Sequence, residues 1–174
     1  MNSKIMLEGK YIYLQPFCEH HISPEYVSWL NNSQVTQYSN QRFLHHTSET
    51  CLKYFRSFEN SPNKFWAIHT KEGKHIGTLT NYISVHHHTA DMGIMIGDPE
   101  SWGKGLGFDA WKTSMNSLFK SGIRKVTAGT LACNMGMLSI MKKAGMIYEG
   151  KRIRQEIVNN QEIDILYYAK FRTE

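Results

Sequence analysis

The residues whose types and spacing carry the most chemistry are Trp102-Gly103-Lys104-Gly105-Leu106-Gly107-Phe108, which follow the apolar run Ile94-Met95-Ile96. A buried strand, a short loop and glycines at every second position opening a helix leave several backbone N–H groups unpaired. Those groups aim at one place, beside the positive end of the helix dipole. Glycine lets the backbone approach a ligand because no Cβ intervenes. The natural guest is a pyrophosphate, although the same residues also make a ligand-free turn. Two nucleotide loops are disfavoured. A Walker loop ends in Gly-Lys-Ser or Gly-Lys-Thr, whereas Gly105 and Leu106 follow Lys104 here. A dinucleotide fingerprint needs Gly-x-Gly-x-x-Gly and an acid about 20 positions on. Here the spacing is Gly-x-Gly-x-Gly, and Asn116 to Arg124 contain no acid.

The elements that must position this loop read as one continuous α/β unit, a single domain over residues 1–174. Lys10 to Gln15 alternates as a first strand. Pro24 starts a helix through Asn32, and Ser48 caps a second one running past Phe58. Lys64–Thr70 and His75–Ser84 pair across the turn Lys71-Glu72-Gly73-Lys74, and Thr89–Ile96 is the fourth strand. The helix after the loop, with Leu106, Ala110, Met115, Leu118 and Phe119 on one stripe, ends near Gly122. Lys125–Ala132 is the fifth strand, and Asn134 caps a helix to Ala144. Gly150–Val158 and Glu162–Phe171 form a closing hairpin across Asn159-Asn160, residues that tolerate positive φ.

Trp102-Gly103-Lys104-Gly105-Leu106-Gly107, followed by Phe108-Asp109-Ala110, resembles the acyl-CoA-binding loop of the GNAT acetyltransferase superfamily. That loop runs Arg/Gln-x-x-Gly-x-Gly/Ala; Trp102 at its head is a departure common in the Rim-type ribosomal-protein N-acetyltransferases. A second segment, Asn134 with Lys143-Ala144-Gly145-Met146, is similar to the family's Asn-x-x-Ser…Lys-x-Gly-Phe stretch. The resemblance extends weakly over nearly the whole chain, and the element order is also the family's. It implies a central mixed, mostly antiparallel sheet of six to seven strands with about four helices, splayed between strands four and five. It further implies an acetyl-CoA-dependent N-acetyltransferase in which a primary amine attacks the thioester directly. The amine would belong to a small molecule such as an amino sugar, or to a protein N-terminus. A non-catalytic acyl-CoA-binding module on the same fold is the alternative.

Under that resemblance, the backbone of Ile94, Met95 and Ile96 pairs with pantetheine. The amides of Trp102, Gly103, Lys104, Gly105, Leu106, Gly107 and Phe108 form the pyrophosphate cradle. Acetyl transfer needs a proton acceptor and donors to the oxyanion. Asp91, at the entrance of the fourth strand, is the candidate base, and the amide near Met95 is the candidate oxyanion donor. Asn134 is an N-cap or a contact to the thiol or pantetheine, and the two roles are compatible. The family's Tyr, seven residues on, is Met141 here, and its Ser is Met137. Methionine cannot donate a proton; Ser139, Tyr148 and Tyr167 are substitute donors, and a thiol can also leave as thiolate. Tyr38, Gln41 and Arg42, between the first two helices, are candidate acceptor contacts. His86-His87-His88 would point to alternate faces in a strand, which argues against a three-ligand metal site, and a hairpin surface is the better reading.

Composition bounds the rest. The chain carries a formal charge of +5 with dispersed Lys and Arg, and no basic helix or nucleic-acid motif stands out, so no nucleic-acid partner is expected. No apolar run nears the roughly 20 residues of a membrane span. Met1-Asn2-Ser3-Lys4 lacks the apolar stretch of a secretory signal. Three widely spaced cysteines, Cys18, Cys51 and Cys133, suggest reduced thiols filling a core, a cytoplasmic location and no metal. The exposed edge of the closing hairpin is compatible with a homodimer.

Overall fold

Alternation along Phe65-Trp66-Ala67-Ile68 divides the interior in two: Trp66 and Ile68 enter one apolar cluster, and Phe65 and Ala67 the other. The computed structural model describes residues 6–173. The expectation for Met1 to Lys4 lies outside the described residues. The strands are β1 (Leu7–Glu8), β2 (Ile12–Pro16), β3 (Lys64–Thr70), β4 (His75–Ser84), β5 (Thr89–Ile96), β6 (Lys125–Leu131), β7 (Ile147–Val158) and β8 (Gln161–Phe171). The helices are α1 (Pro24–Leu30), the single turn α2 (Ser33–Thr36), α3 (Ser48–Arg56), α4 (Leu106–Lys120) and α5 (Met135–Lys143). One sheet holds all eight strands in the order β1-β2-β3-β4-β5-β6-β8-β7. Every neighbouring pair is antiparallel except β5–β6.

The sheet has one strand more than the sequence suggested, because β1 is too short to alternate legibly. The first helical stretch also stops early: Asn32 accepts the Gln34 amide and caps α2 instead of continuing α1. Thr47 rather than Ser48 caps α3, through a reciprocal pair with Thr50. α3 then ends at Arg56, before Phe58. In contrast, the Asn159-Asn160 turn has the expected two positive φ angles, 49° and 62°.

The larger cluster packs Trp111, Met115 and Leu118 of α4 and Leu138 of α5 against Ile68, Leu79, Met92 and Val126 of the sheet. The smaller places Tyr26 and Trp29 of α1 and Cys51 of α3 against Phe17, Phe65 and Ala67. Cys51 alone of the three cysteines is buried; Cys18 and Cys133 are half-buried rather than core. Asp109 ties α4 to the start of β2 by accepting the amides of Lys10, Tyr11 and Ile12 at 3.1, 2.7 and 3.2 Å.

Histidines line the smaller cluster. His75 lies 5.1 Å from Trp29 and 5.1 Å from His69, ring centre to ring centre, and His21 is 5.3 Å from both His69 and His75. Burial, helped by the neighbouring imidazoles, pushes His21 down to about 3 and His75 down to about 4. Both rings are therefore neutral in the fold at pH 7, while in the unfolded chain each takes a proton near 6.5. Unfolding binds protons between those values, so stability falls as pH drops from 6.5 toward 4. The loss is at most about 1.4 kcal/mol per pH unit for each ring. Thermal unfolding should show a clear decline of Tm between pH 7 and pH 4.5, and His75→Gln should flatten that decline.

Candidate functional site

β5 and β6 pair only at Thr89, Ala90 and Asp91 with Lys125, Val126 and Thr127, and then separate. Ala128 to Leu131 continue to pair with β8, and Met92 to Ile96 with β4, so the gap opens between two supported strands. This is the expected splay. The hydrogen-bond phase of β5 decides which groups face the gap. The His88 carbonyl accepts from Arg124 at the head of β6, while the Gly97 amide donates to Ile76 beside β4. With a period of two, the main chains of Met92, Ile94 and Ile96 face the gap and that of Met95 faces β4. The Met95 amide itself, a candidate donor from the sequence, therefore faces β4, and the amides open to the gap are those on either side, a phase that sequence alone does not reveal. The Met95 side chain still borders the site.

At the mouth of the gap stands the start of α4. Gly103 and Gly105 hold positive φ, 72° and 78°, and a Cβ on either would meet no atom within 4 Å. The amides of Gly103, Lys104 and Gly105 donate to no protein acceptor among the described residues. Those of Leu106, Gly107 and Phe108 lie in the first helical turn, where no carbonyl precedes them. Leu106 and Phe108 turn their side chains to the larger core cluster. Gly107 sits tightly enough that a Cβ would lie 3.4 Å from both Ile96 and Ile140. Trp102 donates its indole N–H to the Ile96 carbonyl at 2.8 Å, fixing the loop to the end of β5. Behind the loop, buried Asp98 accepts from Ser101 Oγ at 2.6 Å and from Lys74 Nζ at 2.8 Å. Burial opposes the Asp98 charge, but Lys74 and Ser101 outweigh it and hold the carboxyl below its usual range.

Ile94, Met95, Ile96, Trp102, Asn134 and Tyr38 meet around a cleft of about 440 Å³. Asn134 accepts the Met137 amide at 3.1 Å as the α5 cap and donates to Thr130 Oγ1 at 3.1 Å. Gln41 borders an adjoining pocket of about 210 Å³. Arg42 is a tether: its guanidinium donates to the Ser39 and Ile157 carbonyls and lies 3.5 Å from Glu156, joining the loop before α3 to the closing hairpin. Asp91 stands at the closed end of the gap and accepts from Thr127 Oγ1 at 2.7 Å. The protein pressed around it raises its carboxyl above the usual range, and the Thr127 bond opposes the rise.

Several lining groups had no local signature. Thr78, Thr80, Tyr54 and Tyr26 border the inner pocket, and Met137 and Ile140 border the cleft. Met141 is fully buried in the core, so it does not occupy a donor's place in the cleft. Ser139, Tyr148 and Tyr167 border neither the cleft nor the pocket. Cys18, His20 and His21 bring possible ligand atoms within 4.8 Å of one another, a grouping that the cysteine spacing did not suggest. The His21 Nδ1 lone pair accepts the Cys18 amide at 3.0 Å, which makes the trio a self-capped turn.

The cradle gives a direct expectation. Gly105→Asp adds about 1–2 kcal/mol of left-handed strain and a negative charge, and Gly107→Asp adds charge where α4 meets Ile96. Each should weaken acetyl-CoA binding at least tenfold by calorimetry in a chain that still melts cooperatively.

Comparison with known proteins agrees with this arrangement. An N-acetyltransferase 9-like protein of Nematostella vectensis is 26% identical over 159 residues, covering 83% of this chain and 79% of that one. A RimL ribosomal L7/L12 alpha-N-protein acetyltransferase solved with coenzyme A superposes with TM-score 0.84 at 17% identity, over 96% of this chain and 98% of that one. A spermidine N-acetyltransferase of Vibrio cholerae, solved with CoA and spermine, gives TM-score 0.81 at 15% identity, over 93% and 96%. Residues 12–147 match the family described as the acetyltransferase (GNAT) domain, and the chain belongs to that family of acetyl-CoA-dependent N-acetyltransferases.

Proposed function

We propose that this chain transfers the acetyl group of acetyl-CoA to the α-amine of a peptide or protein N-terminus. The ribosomal-protein and spermidine neighbours resemble it almost equally in fold, so the choice of acceptor rests on the site. The observation that carries the reading is the charge of the lining. No acidic residue borders the cleft, the inner pocket or the hollow of about 630 Å³ beneath the hairpin tip, and Arg42 is their one charged residue. A polyamine needs carboxylates to replace the water around its several charges, and these surfaces offer none. Ser39 borders both pocket and cleft, and Gln37 and Tyr38 border both cleft and hollow, which makes one trough without carboxylates, suited to an extended chain. The exposed edge of β7, with Ile153 and Ile157 outward, supports a homodimer.

In this reading the amides from Gly103 to Phe108 hold the pyrophosphate. The main chain of Ile96 pairs with pantetheine, and the Ile94 amide donates to the thioester oxygen as negative charge grows there. The amine attacks from the side of Gly93 and Met95. CoA departs as thiolate, since a thiol is acidic enough to leave without a dedicated acid, as the cysteine reference value of about 8.5 shows. The missing Tyr at Met141 is therefore compatible with catalysis. Asp91 takes the proton that the ammonium must lose.

Initial rates of CoA release should be highest with peptides bearing a free α-amine and neutral or acidic following residues. Spermidine and amino sugars should give rates at least tenfold lower; a reversed order would contradict the reading. Asp91→Asn should lower turnover by about two to three orders of magnitude with acetyl-CoA affinity unchanged. Wild-type activity should fall with acid through a midpoint above the usual carboxylate range, as Asp91 protonates. A wild-type rate in the Asn variant would remove Asp91 from the reaction.

A further inference from the structure

Asp91 is three residues from Ile94, about 10 Å along an extended strand, too far to take a proton directly from an amine attacking beside Ile94. The register of β4 against β5 supplies what lies between. Thr78 stands opposite Met95, Thr80 opposite Gly93 and Tyr82 opposite Asp91, so three hydroxyl side chains run along the face that carries Asp91. Gly93 makes room for the Thr80 hydroxyl, since a Cβ there would lie 2.9 Å from Thr80 Oγ1. From α3, Tyr54 reaches the same face and its hydroxyl meets that of Tyr82 at 2.8 Å. Tyr54 and Thr80 both border the inner pocket.

We propose that Thr80, Tyr54 and Tyr82 form a hydroxyl path that carries the acceptor's proton from the inner pocket to Asp91. The inference rests on the acetyl transfer proposed above. Residues two apart on one strand face are spaced by about 6.6 Å along the main chain, and waters complete the path where the hydroxyls do not touch. Each oxygen accepts one proton and passes on another, and the carboxylate of Asp91 ends the chain as the carboxylic acid. The freed amine lone pair forms the C–N bond, the C–S bond breaks, and its electron pair leaves on sulfur. The new amide nitrogen sheds its surplus proton to the thiolate or solvent and keeps one N–H. Asp91, at an exposed strand position, returns its own proton to water.

The surroundings of the path suit hydroxyls that relay without holding charge. Burial, reinforced by the bond with Tyr82, raises the Tyr54 phenol far above its ordinary value, so it stays neutral. Asp91 faces Tyr82 from β4 and Thr127 from β6. Lys125 of β6, two residues before Thr127, is paired with Glu149 of β7, which offsets its charge.

The test compares Thr80→Val, Thr80→Ser and Tyr82→Phe with wild type, using acetyl-CoA and the peptide with the fastest wild-type rate. The path predicts at least a tenfold fall in kcat for Thr80→Val and Tyr82→Phe, with KM for acetyl-CoA unchanged. The rate should then rise with pH up to the acceptor's own amine pKa, because the amine must arrive already deprotonated. Thr80→Ser should restore both rate and pH profile, an outcome that a purely structural role for Thr80 would not produce. Tyr82→Phe combined with Asp91→Asn should be no slower than Asp91→Asn alone. Wild-type kcat and pH profile in both Thr80→Val and Tyr82→Phe would overturn the path while leaving the transferase intact. No wild-type turnover with any amine would overturn the transferase, and the path with it.

Discussion

The separation of β5 from β6 after three paired residues is the constraint on which the rest of the site depends. A parallel pair that ran its full length would bury the main chain of Ile94 and Ile96 in a ladder and leave no entrance. Separated, these groups face an open slot, where each unpaired amide would cost about 1–3 kcal/mol if it were dried without a partner. β8 holds one wall and β4 the other, so the slot does not close. Trp102, bonded to the Ile96 carbonyl, places the start of α4 at its mouth. The fold thus spends two kinds of unsatisfied backbone, a strand edge and a helix start, on one elongated space.

The charges around that space are segregated. The helix start is positive by its dipole and its free amides, and the buried Asp98 that supports the loop is neutralised by Lys74 and Ser101 rather than left to oppose a phosphate. The trough beyond the thioester position carries no carboxylate. Asp91 stands at the closed end of the slot, at the opposite end of β5 from Asp98.

What the sequence made legible was local. The alternating glycines, the Asn134 cap and the Asn159-Asn160 turn each depend on a few consecutive residues, and the structure bears them out. What it concealed depends on pairing between distant segments. Whether Met95 or Ile94 turns its amide to the slot follows from the hydrogen-bond phase of β5, which is fixed by His88 and Gly97 at its ends. Thr80 and Tyr82 look like ordinary strand residues until the register sets them opposite Gly93 and Asp91. Tyr54 joins them only because α3 packs on that face. Met141, which looked like a lost proton donor, fills the core because its turn of α5 faces the sheet.

The most direct test is a crystal structure of the chain with CoA bound. The account predicts the pyrophosphate on the amides between Gly103 and Phe108, the pantetheine along Ile94 and Ile96, and the sulfur between β5 and β6. A pyrophosphate held elsewhere, or a pantetheine arm lying outside the slot with β5 and β6 closed together, would contradict it.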